Sequence, residues 1–150
     1  MTTALHLANE ADFVKLEPLV EAFHTEMQIA SDTDSRIAGL LPLLHGSPYG
    51  AAYLLGPRRA PVGYIVVTFG WSVEFGGMDA FIDEVYIRPT VRGRGMATEA
   101  LIGLAKALEN VDVCALHLEV DRSDEKAQKL YLRAGFKPRD RYMLMTRKLS

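Results

Sequence analysis

A single cysteine, Cys114, leaves this chain of 150 residues no means of forming an internal disulfide. The fold must therefore be held by burial alone, and a reducing compartment is expected. Cys114 stands in an apolar stretch and reads as a small buried hydrophobe, not as a nucleophile. No stretch of the chain is apolar for long enough to cross a bilayer, and the start, MTTALHLANEADF, lacks a basic segment followed by an apolar run. A soluble, cytoplasmic protein without membrane contact is the expectation. An excess of basic residues is also missing: 17 Lys and Arg against 19 Asp and Glu give a formal charge of −2, which excludes general affinity for nucleic acid. His6 and His45 have no partners at metal-ligand spacing, so no metal is expected. No repeat, low-complexity tract or linker interrupts the chain, and residues 1–150 read as one domain. Charge is nonetheless uneven. Up to Pro57 there are two basic residues, Lys15 and Arg36, against seven carboxylates, and basic residues predominate afterwards. An anion and a cation are then suited to different ends.

Helical and strand periods alternate along the chain. Ala4 to Leu7 reads as a short strand. Asn9, with Asp12 three residues on, caps a helix carrying Phe13, Leu16, Val20 and Phe23 on one face and ending near Met27. A second helix is expected from Thr33 to Leu44, capped by Asp32 or Thr33 and closed by Gly46 and Pro48. Strands at Ala51–Leu55 and Val62–Phe69 flank the turn Gly56-Pro57-Arg58-Arg59-Ala60-Pro61. Gly76-Gly77 precedes a strand from Met78 to Ile87, which Pro89 ends. A helix follows with Ala97, Leu101, Leu104, Ala105 and Leu108 aligned. Then come a strand at Ala115–Val120, a helix grouping Ala127, Leu130, Tyr131 and Ala134 before Gly135, and a final strand at Tyr142–Leu149. The pattern is α/β, with a mixed and largely antiparallel sheet.

Two features carry chemistry. The first is the Gly93 and Gly95 turn ahead of an alanine-rich helix, where main-chain N–H groups and the positive helix end suit a phosphate. No Gly-Lys-Ser/Thr follows it, and Thr98 stands where a dinucleotide fingerprint needs glycine, so neither of those phosphate loops fits. The second is Asp83-Glu84, two carboxylates inside an otherwise apolar strand, costly there without partners or a function.

Arg92-x-x-Gly95-x-Ala97, preceded by Val85-x-Ile87-x-Pro89, resembles the pyrophosphate-binding motif of the GNAT superfamily of N-acetyltransferases. Leu130-Tyr131 with Gly135-Phe136 is similar to that family's later LYxxxGF signature, and together the motifs span essentially the whole chain. The resemblance implies a sheet of about seven strands with about four helices, and a parallel pair that splays apart between the strands at Met78–Ile87 and Ala115–Val120. The pantetheine arm of acetyl-CoA would lie in that gap against backbone groups of Val85, Tyr86 and Ile87. Gly93, Gly95, Met96, Ala97 and Thr98 would hold the diphosphate, with Arg92 and Arg94 adding charge. Asp124 stands where many relatives have asparagine as a coenzyme contact; a carboxylate caps a helix equally well but donates no hydrogen bond and repels phosphate.

Tyr131 matches the family tyrosine that gives a proton to the departing thiolate. Asp83 and Glu84 match an acidic pair of the diamine and polyamine acetyltransferases that binds and deprotonates the amine, and either can be the base. Trp71 and Glu74 offer an aromatic face and a carboxylate to a cation. Glu21, His24 and Glu26 end the first helix, where the family places acceptor specificity, and His117 is a candidate proton relay. The expected reaction is direct acetyl transfer from acetyl-CoA to a small cationic amine such as a diamine or polyamine, in a homodimer. An aminoglycoside, an amino acid or a protein N-terminus as acceptor, and a non-catalytic acyl-CoA-binding module, are the alternatives.

Overall fold

The computed structural model describes residues 3–150. A sheet of five strands in chain order is covered by helices on both faces. Strand β1 (Leu5–Leu7) leads through a short 3-10 turn into helix α1 (Phe13–Glu26). Asn9 caps the turn in a capping box with Asp12, as its spacing predicts. Helix α2 (Thr33–Leu44) begins with a second capping box, between Asp32 and Ser35. Strands β2 (Gly50–Leu55), β3 (Gly63–Ser72) and β4 (Gly77–Ile87) pair antiparallel; helix α3 (Met96–Glu109), strand β5 (Val113–Leu118) and helix α4 (Glu125–Arg133) complete the chain.

Alternation along β2 and β3 divides the core. Ala52, Leu54, Tyr64 and Val66 meet Leu16, Leu19 and Val20 of α1 and Leu40 and Leu44 of α2. Leu55, Ile65 and Val67 turn the other way, towards Leu101, Leu104 and Leu108 of α3. Gly63 to Val67 is buried at every position, which is why this central strand reads as a continuous apolar run. Burying a leucine fully is worth about 1.5–3 kcal/mol, and Leu16, Leu54, Leu101 and Leu104 are wholly enclosed.

One irregularity positions everything that follows. Val67 pairs with Ile82 and Val66 with Glu84, so Asp83 is an extra residue in β4. This β-bulge reverses the alternation: Ile82 packs with α3, whereas Glu84, two residues on, hydrogen-bonds Tyr64 on the α1 face. The parallel pairing of β4 with β5 also stops at Ile82 opposite Leu118.

Two expectations are corrected. The sheet has five strands, not about seven, and the expected strand Tyr142–Leu149 forms no ladder; a strand needs a neighbour, and the start of this segment is instead tied by Arg122 to the carbonyl of Tyr142, with Asp140 just before it. Cys114 is exposed. Its neighbour Val113 takes the buried face of β5, so alternation turns the thiol outward, where Sγ meets the carbonyl of Met78 at 3.2 Å.

The pairing of β3 with β4 tolerates no side chain at Gly63, opposite Ile87, where a Cβ would lie 2.2 Å from the Tyr86 carbonyl oxygen and 3.1 Å from Ile87 Cα. Gly63→Ala is expected to cost about 3 kcal/mol and to lower Tm by roughly 10 °C in calorimetry; an unchanged Tm would refute this packing.

Candidate active site

Beyond the bulge β4 has no strand on its outer edge, and a cleft of about 480 Å³ opens between Ile82–Ile87 and Leu118–Asp121. Unpaired strand edges present main-chain donors and acceptors. The loop before α3 and the inner side of α4 form the other walls. Of the residues singled out from the sequence, Glu26, Asp83, Glu84, Val85, Tyr86, Ile87, Arg92, Gly93, Gly95, Met96, Ala97, Thr98, Asp124 and Tyr131 all line this cleft. Arg94, Trp71 and Glu74 do not. Trp71 pairs with Met78, six residues from Glu84 and so about 20 Å away along the strand, and is 74% exposed. Glu74 binds Arg139 at 2.9 Å beside that same hairpin. His117 is likewise outside the cleft, held at 3.1 Å by Asp79 between the rings of Phe75 and Phe81.

The loop before α3 is built as the glycine spacing requires. Gly93 and Gly95 adopt φ of +81° and +78°, a region costly for any residue with a Cβ. Gly95 is the N-cap of α3 and has no side chain to cap with; Glu99 N–H, bonded to the Gly95 carbonyl, is the first helical amide satisfied within the helix. The amides of Met96, Ala97 and Thr98 therefore remain available at the positive end of a 14-residue helix. Arg92 is already engaged: Nε donates to the Ile87 carbonyl and Nη2 to Glu26, each at 2.8 Å, and its guanidinium lies over the Tyr86 ring.

Glu84 sits in a built environment on the α1 face. Its Oε1 accepts from the Tyr64 hydroxyl at 2.8 Å, and Oε2 is 2.6 Å from His24 Nε2. Burial, and then the Glu84 charge, push the Tyr64 hydroxyl far above its ordinary pKa, so it stays protonated and donates. Asp83, displaced by the bulge, is exposed. Sequence reasoning placed His24 only at the end of a helix and missed Tyr64, because only the reversed alternation brings either to the carboxylate.

Tyr131 faces the cleft from α4. Burial first, and the Asp124 carboxylate second, raise its hydroxyl above the usual phenol range. Asp124 caps α4 by accepting from the Ala127 N–H at 3.0 Å. The local sequence explains how Tyr131 is held. Gly135 takes φ +98° past the helix end, and Phe136 N–H returns to the Tyr131 carbonyl at 3.0 Å, closing the terminus and setting the Phe136 ring edge-on to Tyr131. The Leu-Tyr and Gly-Phe pairs thus belong to one helix stop.

Known proteins agree with this architecture. An integron cassette protein from the mobile metagenome of Cole Harbour Salt Marsh is 31% identical, with 97% of this chain and 90% of that one covered and a TM-score of 0.84. Two more distant structures share the fold. One is the ribosomal-protein-alanine N-acetyltransferase of Brucella melitensis biovar Abortus, at 18% identity, 99% coverage of both chains and TM-score 0.76. The other is AAC(6')-Iy in complex with the bisubstrate analogue CoA-S-monomethyl-acetylneamine, at 12% identity, 99% and 100% coverage and TM-score 0.78. No functionally curated protein matches the chain in sequence. The sequence profile of the acetyltransferase (GNAT) family matches residues 15–136, the span that holds the bulge, the glycine turn and the Tyr131 helix stop, and the chain is a member of that family of acetyl-CoA-dependent enzymes.

Proposed function

We propose that this enzyme acetylates a small cationic primary amine, with diamines or polyamines favoured, by direct attack and with Glu84 as the base. The observation that carries this reading is that Glu84 and Tyr131 open on the same cleft from different elements, on either side of the point where β4 and β5 part. The acceptor class is supported by charge: Glu26, Asp83, Glu84, Glu119, Asp121 and Asp124 outnumber Arg92, Lys126 and Arg133 among the lining residues. Such a surface concentrates cations.

The cleft also suits acetyl-CoA as co-substrate. The Met96, Ala97 and Thr98 amides would seat its diphosphate, and the outer edge of β4 from Val85 to Ile87 would bond the amides of its arm. Bound there, the coenzyme supplies the thioester whose acetyl group is transferred and whose thiol departs. Glu84 takes a proton from the ammonium nitrogen, directly or through a water, freeing the lone pair that attacks. A main-chain N–H on the unpaired β4 edge stabilises the charge developing on the carbonyl oxygen. Tyr131 donates to the leaving sulfur; its raised pKa keeps the proton in place until the sulfur becomes basic. One nitrogen proton thus leaves through Glu84 to solvent, and the second, shed as the tetrahedral intermediate collapses to the amide, restores the Tyr131 hydroxyl that protonated the thiol. Cys114 lies outside the cleft, consistent with transfer that forms no acetyl-enzyme.

The protein is proposed to work as a homodimer in the cytoplasm. Trp71, Val73 and Phe75 at the hairpin tip and Met143, Leu144 and Met145 of the C-terminal segment are all exposed, apolar surface that a second copy would cover. Among the described residues no helix is long and apolar enough to cross a membrane.

Turnover of acetyl-CoA against a panel of diamines, polyamines, aminoglycosides, amino acids and peptides tests the reaction. Good turnover confined to a class other than diamines and polyamines would overturn the acceptor. In the same assay Tyr131→Phe is expected to lower kcat about 100-fold, with calorimetric acetyl-CoA affinity unchanged within about twofold. Gly95→Val behaves in the opposite way. Nothing lies within 4 Å of a Cβ there, so its cost is the left-handed backbone alone, about 1–2 kcal/mol. Disturbed helix amides should weaken acetyl-CoA binding by at least about tenfold while the fold survives. Light scattering should give twice the 16.6 kDa chain mass; a monomer at assay concentration would dismiss the dimer.

A further inference from the structure

We infer that His24, oriented through Ser31 by Arg36, is the residue that positions the Glu84 carboxylate for proton transfer. The inference rests on Glu84 being the base. The contacts form a continuous chain from α2 to the cleft. Arg36, buried against α1, donates from Nε to Glu17 at 2.7 Å and from Nη1 to Ser31 Oγ at 3.0 Å. Ser31 Oγ lies 2.7 Å from His24 Nδ1, and His24 Nε2 lies 2.6 Å from Glu84 Oε2.

The two ends of this chain set its polarity. A guanidinium only donates and a carboxylate only accepts, so Ser31 Oγ accepts from Arg36 and the proton between His24 and Glu84 sits on Nε2 and points at Oε2. Ser31 Oγ holds the other ring nitrogen, Nδ1, and so fixes the plane of the imidazole. Tyr64, kept protonated first by burial and then by the neighbouring carboxylate, closes the other oxygen. Two donors, one to each oxygen, thus fix the plane of the carboxylate, and its remaining lone pairs are the ones left for the amine. The side chains of His24 and Glu84 are 13% and 17% exposed, so water does not readily replace either donor.

The Phe23 ring packs against His24 and against Tyr64 and Tyr86, placing an aromatic cluster beside the pair. Asp83 is adjacent in sequence but points to solvent, and Arg36 and Glu17 act only through Ser31. No Lys, Arg or second His forms an ion pair with Glu84 among the described residues. His24 therefore has no substitute in holding Oε2, and it does so without touching substrate.

The test compares His24→Phe, which keeps a ring and loses both nitrogens, with His24→Gln, whose side-chain amide can donate from nearly the position of Nε2. Glu84→Gln is run in parallel with the amine that the wild type acetylates best, and rates are normalised to acetyl-CoA binding stoichiometry from calorimetry. His24→Phe is expected to lower kcat about 10- to 100-fold with KM for acetyl-CoA within about twofold, and His24→Gln to recover most of the loss. Wild-type kcat in His24→Phe, or equal damage in both His24 variants, would overturn the positioning role. If His24→Phe does not fold, Ser31→Ala decides: a fall of several-fold in kcat at unchanged KM supports the relay, and an unchanged kcat rejects it. Glu84→Gln separates the two readings. If it stays active, the base assignment itself fails; if it is inactive while His24→Phe is not, only the present inference fails.

Discussion

The extra residue in β4 is the constraint on which the rest of the site depends. Antiparallel pairing with β3 obliges each β4 residue to face one core or the other, and the bulge at Asp83 resets that choice within a single step. Without it, Glu84 would point with Ile82 into the hydrophobic contact with α3, where a carboxylate finds no donor. With it, Glu84 turns to Tyr64 and His24, and the parallel neighbour lets go at the same level. The local loss of strand hydrogen bonds is thereby converted into a cleft with unsatisfied main-chain groups along one wall.

Charge in the cleft is arranged by element. Main-chain amides at the start of α3 offer an anion seat that carries no formal charge of its own, whereas the charged lining side chains on β4 and on the segment between β5 and α4 are all carboxylates. Arg92, the obvious side chain for a diphosphate, is committed to Glu26 and the Ile87 carbonyl. Its guanidinium ties the loop to the end of α1 and to the Tyr86 face, so its structural contribution stands apart from its charge.

Much of this was legible in the sequence, where local chemistry decides the outcome. The Asn9 and Asp32 caps, the left-handed glycines at 93 and 95, and the helix stop at Gly135 each follow from a backbone requirement that few residue types satisfy. The stop of pairing between β4 and β5 followed from family resemblance, and in the structure it falls at Ile82. What depended on register was not legible. Asp83 and Glu84 were equivalent candidates until the bulge separated them. Tyr64 is one apolar-looking position among several in a buried strand, and His24 has no neighbour in sequence that announces its partner. Trp71 and Glu74 were joined to the site by chemical type, yet strand length carries them to the opposite end of β3 and beyond it. The missing last strand is a failure of the same kind, since propensity in Tyr142–Leu149 says nothing of whether a partner edge lies within reach.

A sheet covered on both faces is a partition, and groups attached to its two sides are ordinarily screened from each other by a full layer of backbone. Tyr131 belongs to the side of α3 and Glu84 to the side of α1. They can address one small molecule only through a window in that partition, and the parting of β4 from β5 is such a window. Two reactants can then arrive from opposite sides of the domain, each sorted by its own layer of helices, and meet only where the wall between them is open.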